Sequence, residues 1–123
     1  MGKKIGLLVD TDVLIDYFNF QVFREFLENP AYRIYYSIVT KKELLSKEGL
    51  SRSEENAIRA FLKKCRIIHL NQDILDKYTS LRNQFSSLEK EDCLIAATAW
   101  SKKLPLFTRN RKHFEFIREI KLL

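Results

Sequence analysis

The chain has 123 residues, 46% apolar and 31% charged, which suffices for one domain around one closed hydrophobic core. Aromatic residues make up 12%, and three Gly and two Pro are too few for a disordered or low-complexity chain. The net charge of +6 favours a polyanionic partner, and the scatter of the basic residues suits nucleic acid better than a membrane surface.

The first apolar run, Ile5 to Val9, reads as a strand covered on both faces. Behind Met1-Gly2-Lys3-Lys4 it is too short for a signal-peptide core, and Asp10 ends it. Val13, Leu14, Tyr17 and Phe18 then fall at helical spacing, predicting a helix over 12–18. A second short helix is expected over 21–28, stopped by Asn29-Pro30. The second strand is expected over 33–39, and Thr40 as the N-cap of a helix over 41–46.

Ser51 with Glu54 fits a capping box, opening a helix whose apolar face is Ala57, Ile58, Phe61 and Leu62. Residues 65–70 form the third expected strand. Asn71 is expected to cap a helix that turns Ile74, Leu75, Tyr78 and Leu81 inward and breaks at Ser86-Ser87. A helix over 92–103, rich in Ala, leads to a fourth strand over 104–107. A last helical turn over 114–117 and a short edge strand over 120–123 complete the reading. Alternating strands and helices predict an α/β fold, a mainly parallel sheet of four to five strands flanked by helices, in one domain spanning 1–123. No run of about 18 apolar residues is present, so no membrane span is expected. Cys65 and Cys93 make neither a disulfide framework nor a zinc spacing, which predicts a cytoplasmic protein with reduced thiols.

In open α/β sheets, ligands bind beyond the carboxyl ends of the strands. That rule selects Asp10 after the first strand, Glu43 after the second, and Thr108 and Asn110 after the fourth. Asp92 opens a helix of small residues. Alone, it serves the helix dipole; it gains significance if it converges with Asp10 and Glu43. Carboxylates within about 4–6 Å raise each other's pKa, and a hard divalent cation removes that penalty. An acidic pocket on a basic protein is what metal-assisted phosphodiester hydrolysis needs.

Four segments in register then carry a resemblance. Asp10-Thr11-Asp12-Val13-Leu14-Ile15-Asp16, Thr40-x-x-Glu43-Leu44, Asp92-x-x-Ile95-Ala96-Ala97-Thr98-Ala99 and Leu106-Phe107-Thr108-Arg109-Asn110-x-x-His113-Phe114 resemble the PIN-domain ribonucleases. Within them the chain looks most like the toxin half of VapBC-type toxin–antitoxin pairs. The resemblance implies a Mg²⁺- or Mn²⁺-dependent endoribonuclease with Asp10, Glu43 and Asp92 as its metal-holding catalytic acids. It implies Asn110 at a catalytic position that is often Asp, and Thr108 and Asp12 in support. It also implies an RNA substrate, a cognate antitoxin and often a homodimer.

Arg109, Arg111 and Lys112 are the expected RNA contacts. His69 is expected as a surface or packed residue, and His113 lies near the site beside Phe114. Tyr17, Phe18 and Tyr35 are expected in the core. The cluster Tyr17, Phe18, Phe20, Phe23 and Phe26 is too large to bury whole, leaving an apolar patch for an antitoxin helix or a second copy. Two alternatives remain at this point: a catalytically inactive RNA- or protein-binding module, and a haloacid-dehalogenase-like phosphatase. The second also begins Asp-x-Asp after a strand. It wants Thr or Val where Leu14 stands, and its later acids directly after a strand.

Overall fold

The computed structural model describes residues 2–123; Met1, the first residue of the expected 1–123 domain, lies outside the described residues. The elements run β1 (Ile5–Val9), α1 (Thr11–Phe20), α2 (Arg24–Leu27), β2 (Tyr32–Ser37), α3 (Ile38–Leu45), α4 (Arg52–Lys63), β3 (Arg66–Ile68), α5 (Gln72–Gln84), α6 (Lys90–Lys102) and β4 (Leu106–Phe107), with a 3₁₀ turn at Arg111–His113. The four strands form one parallel sheet in the order β3-β2-β1-β4. The expected edge strand over 120–123 shrinks to a single parallel bridge between Leu106 and Leu122.

Successive side chains of β1 enter opposite cores, which explains its unbroken apolar run. Leu8 joins Ile74, Leu81, Ile95, Leu106 and Phe114 under α5 and α6. Leu7 and Val9 join Val13, Leu14, Ile34, Ile58 and Leu62 under α1 and α4. Helix α6 presses Cys93, Ile95, Ala96, Ala97, Thr98 and Ala99 inward, and small side chains allow that close approach.

Several boundaries differ from expectation, each for a local reason. Gln21 and Phe23 take left-handed backbone (φ 57° and 66°), so the expected 21–28 helix contracts to four residues. Ser37, not Thr40, caps α3 by accepting from the Val39 N–H; Thr40 lies inside the helix, fully buried. Glu89 occupies the N-cap position of α6 without a side-chain capping bond, so Asp92 sits within the first turn rather than opening the helix. Residues 114–117 form no helix. Leu75 is 40% exposed rather than inward. The Ser51–Glu54 capping box and the Asn71 cap are present as expected, each worth about 1 kcal/mol.

Strand order decides where a ligand can sit. The chain winds from β1 outward through β2 to β3, then returns to the other side of β1 as β4. The turn-back opens a crevice at the carboxyl ends of β1 and β4, the topological switch point. Asp10 and Thr108 stand on its two walls, directly after those strands.

Candidate active site

Asp10 follows Val9 and caps α1, its Oδ1 accepting the Thr11 N–H at 2.8 Å. Its other oxygen accepts the Thr108 hydroxyl at 2.9 Å. The Asp10 N–H is held by the Phe107 carbonyl, tying β1 to β4 at the crevice. The residue is 6% exposed. Burial, then the charge of Asp12 and, more weakly, that of Asp92, push its pKa up to about 7, against the pull of the Thr108 and Thr11 hydrogen bonds. Asp92 is thus near enough to Asp10 for its charge to act weakly on it.

Asp12 lies in the first turn of α1, and burial raises its pKa as well. Its Oδ2 accepts from Asn110 Nδ2 at 2.7 Å. Its Oδ1 is sealed from solvent without a hydrogen-bond partner. Asn110 is oriented in turn by its own N–H, which donates to Thr108 Oγ1 at 3.0 Å. Thr108 thus links Asp10, Asn110 and, through Asn110, Asp12.

Glu43 is exposed on α3, and its Oε1 accepts the Thr11 hydroxyl at 2.8 Å. Thr11 Oγ1 also lies 2.9 Å from Thr40 Oγ1, both residues buried. Thr11 therefore stands between the Asp10 backbone turn and Glu43. Nothing in the sequence singled it out except a hydroxyl directly after the first acid. Asp92 pairs with His113, Nδ1 to Oδ2 at 3.0 Å. His113 was expected near the site; its partner is an acid of the site itself.

The expected RNA contacts are partly engaged elsewhere. Arg109 pairs with Asp16 at 2.5 Å, and Arg111 donates to the main-chain oxygen of Leu123 at 2.6 Å. Lys112 is exposed and makes no ion pair among the described residues. His69 is exposed, directly after β3. Tyr17 and Phe18 pack with Phe61, and Phe23 and Phe26 with Phe107. Phe20 remains 68% exposed, with Ile15 at 42% and Val22 at 41%, so an apolar patch is left over.

The donor set consists of carboxylates, an amide and hydroxyls, which suits a hard cation rather than zinc or copper. The orphaned Asp12 oxygen and the depressed acidity of Asp10 are the signatures of a site that a cation relieves. Among the described residues no three His, Cys, Asp or Glu side chains stand close enough together to grip an ion by themselves. Glu43, drawn to Thr11, is one reason. The expected convergence of Asp10, Glu43 and Asp92 into one three-carboxylate cluster is therefore not formed among the described residues.

The chain resembles known proteins along nearly its whole length. The PIN domain family matches residues 7–119. Ribonuclease VapC1 of Methanocaldococcus jannaschii is 33% identical over 125 aligned residues, covering 98% of this chain and 87% of that protein. A toxin–antitoxin complex from Klebsiella pneumoniae contains a chain 30% identical to this one, with a TM-score of 0.75 and coverage of 93% and 94%. VapBC2 from Rickettsia felis, bound to a DNA fragment from its promoter, superposes with a TM-score of 0.82 over 97% and 98% of the two chains; at 21% identity the likeness is one of fold.

Proposed function

Because the chain belongs to the PIN-domain family, we propose that it is an endoribonuclease, the toxin of a toxin–antitoxin pair, that hydrolyses RNA phosphodiester bonds with Mg²⁺ or Mn²⁺. The observation that carries the reading is Asp10: a buried carboxylate at the switch point, driven to a pKa of about 7 by burial and by Asp12 and Asp92. A fold keeps such a group when a cation or a substrate repays the repulsion.

Asp10 and Asp92 would hold the ion, with Glu43 reaching it through water or after release from Thr11, and Asp12 and Asn110 behind them. When bound, the ion supplies an acidified water and neutralises charge on the phosphate. Thr108 holds Asp10 in place, and His113 holds Asp92. Thr11 sets the position of Glu43. Asn110 keeps Asp12 from swinging away. Lys112 and, after exchange of its partner, Arg109 would meet RNA phosphates at the rim; such contacts set position and salt sensitivity rather than sequence.

An antitoxin segment fits the groove beside Glu43. This cavity of about 320 Å³ is walled by Ile15, Phe18, Leu44, Leu50 and Ile58, with Lys47 at its margin. The exposed Phe20 and Val22 extend the apolar surface at the end of α1 and suit a second copy of the chain.

Expression of the wild type against Asp10→Ala in cells, with growth and RNA integrity followed together, tests the reading. Growth arrest and RNA cleavage are expected from the wild type alone. Equal toxicity from both would remove the nuclease assignment of this site.

A further inference from the structure

The site end of the molecule is rich in acids, and two of its arginines are already engaged. Besides Lys112 at the site end, unpaired positive charge also lies at the opposite pole. All four strands run parallel, and their starts are staggered along the edge of the sheet opposite the site: Tyr32 is level with Ile5, whereas Arg66 and Leu106 are level with Leu8. In sheet order that edge carries Lys64 and Arg66 at β3, Arg33 at β2, Lys3 and Lys4 before β1, and Lys102 and Lys103 before β4. All seven are exposed, and none forms an ion pair among the described residues. Strand spacing spreads the row over about 14 Å.

Four of them, Lys4, Arg33, Lys64 and Arg66, line a single cavity of about 540 Å³. One acid, Glu28, shares it, but Tyr17 and Arg24 already occupy that carboxylate at 2.7 and 3.1 Å. The cations come from three different strand starts and do not converge on one point, and no helix begins there to aim N–H groups at a single anion. Charges spread along an edge match a ligand whose own charges are spread, a phosphate backbone, rather than one small anion.

We propose that this edge is a second RNA-contact surface, where Lys4, Arg33, Lys64 and Arg66 hold phosphates of a substrate segment remote from the bond being cleaved. The proposal rests on the ribonuclease reading. Lys4 lies six residues down the strand direction from the level of Asp10, Arg33 four and Arg66 two, the last also two strands to the side, which puts the surface about 12–20 Å from Asp10. Only an RNA long or folded enough to span both ends touches it. The surface therefore selects for RNA size and shape without reading bases.

The test uses Lys4→Gln/Arg33→Gln/Lys64→Gln/Arg66→Gln, and the pair Lys4→Gln/Lys64→Gln in case the fourfold change disturbs folding. Binding of a hairpin RNA of about 40 nucleotides is followed by fluorescence anisotropy in EDTA across a salt series. Cleavage of that RNA and of a six-nucleotide RNA is followed with Mn²⁺. Tenfold or greater weakening on the hairpin is expected. Its salt slope should fall by about 0.7 per lost contact, and cleavage of the six-nucleotide RNA should stay at the wild-type rate. Unchanged hairpin affinity and slope would overturn the proposal, as would equal loss on both RNAs or tighter binding of duplex DNA of the same length. If no RNA is cleaved while hairpin binding still depends on these four residues, the ribonuclease reading falls and the surface stands. If the hairpin is cut but bound equally by both proteins, the surface falls alone.

Discussion

His113 Nδ1 lies 3.0 Å from Asp92 Oδ2, and this contact joins the segment after β4 to the first turn of α6. The ring can only donate to an ionised carboxylate, so it fixes one Asp92 oxygen and leaves the other free of this bond. Carboxylates that bind metal are commonly held in this way, and loss of such a partner costs about 10–100-fold in metal affinity or activity. His113→Ala is expected to weaken Mn²⁺ binding, read by electron paramagnetic resonance titration, within that range. His113→Asn places an amide nitrogen near Nδ1 and should recover most of it, whereas His113→Gln should not. The side chain is half exposed, so the fold should tolerate all three changes. Wild-type Mn²⁺ affinity in His113→Ala would refute the role.

Asp10 makes stability depend on pH in an unusual direction. Its pKa is about 7 in the folded protein against an ordinary 3.8, raised first by burial. Between those values the folded protein holds this proton more tightly than the unfolded chain, so its contribution falls as pH rises. Below 3.8 the penalty is absent; above about 7 it is complete, on the order of 4 kcal/mol. In EDTA, Asp10→Asn should therefore be more stable than the wild type above pH 7, and the gap should close toward pH 4. Urea unfolding across that range measures it. Mn²⁺ should stabilise the wild type and leave the variant unchanged. A gap independent of pH would show that the carboxylate is not strained.

The strand ends, and with them the candidate residues that follow, were readable from order alone because a parallel sheet sends every strand's end to the same pole. Asp10, Thr108 and Asn110 needed only the strand boundaries, and Asp92 only its four-segment company. The contacts that orient these side chains were not readable, because hydrogen bonds such as Thr11 to Glu43, 32 residues apart, depend on rotamers rather than on spacing. The same holds for Arg109, chosen for its charge beside the site, whose pairing with Asp16 the sequence did not indicate. Helix starts slipped where two capping residues competed: Ser37 precedes Thr40 by three residues, and the earlier one turns the chain.

Thr11 is expected to position Glu43. Thr11→Val keeps the shape but removes the donor to Glu43 and the partner of the buried Thr40 hydroxyl. Stability should fall by about 1–3 kcal/mol, the cost of an unsatisfied buried polar group. RNA cleavage should fall about tenfold in kcat with KM little changed. Thr11→Ser restores the hydroxyl and should recover kcat even where stability stays reduced. Loss of stability with full kcat would assign Thr11 to folding alone.

Asn110 is the point where charge at the site is set. Its amide donates to Asp12 Oδ2 at 2.7 Å, while Asp12 Oδ1 has no partner. Asn110→Asp exchanges that hydrogen bond for a like charge at the same distance. In the metal-free protein the change should cost about 1–3 kcal/mol and raise the pKa of Asp12 further, since burial already raises it. A divalent ion should then repay more than it does in the wild type. The Mn²⁺-induced rise in Tm should exceed the wild-type rise, and a weak second Mn²⁺ should tighten in calorimetric titration. Asn110→Ala separates the two effects, because it removes the donor without adding charge: it should lose stability but gain no affinity. If Asn110→Asp and Asn110→Ala respond alike to Mn²⁺, position 110 acts only through the hydrogen bond to Asp12 and its charge does not reach the ion.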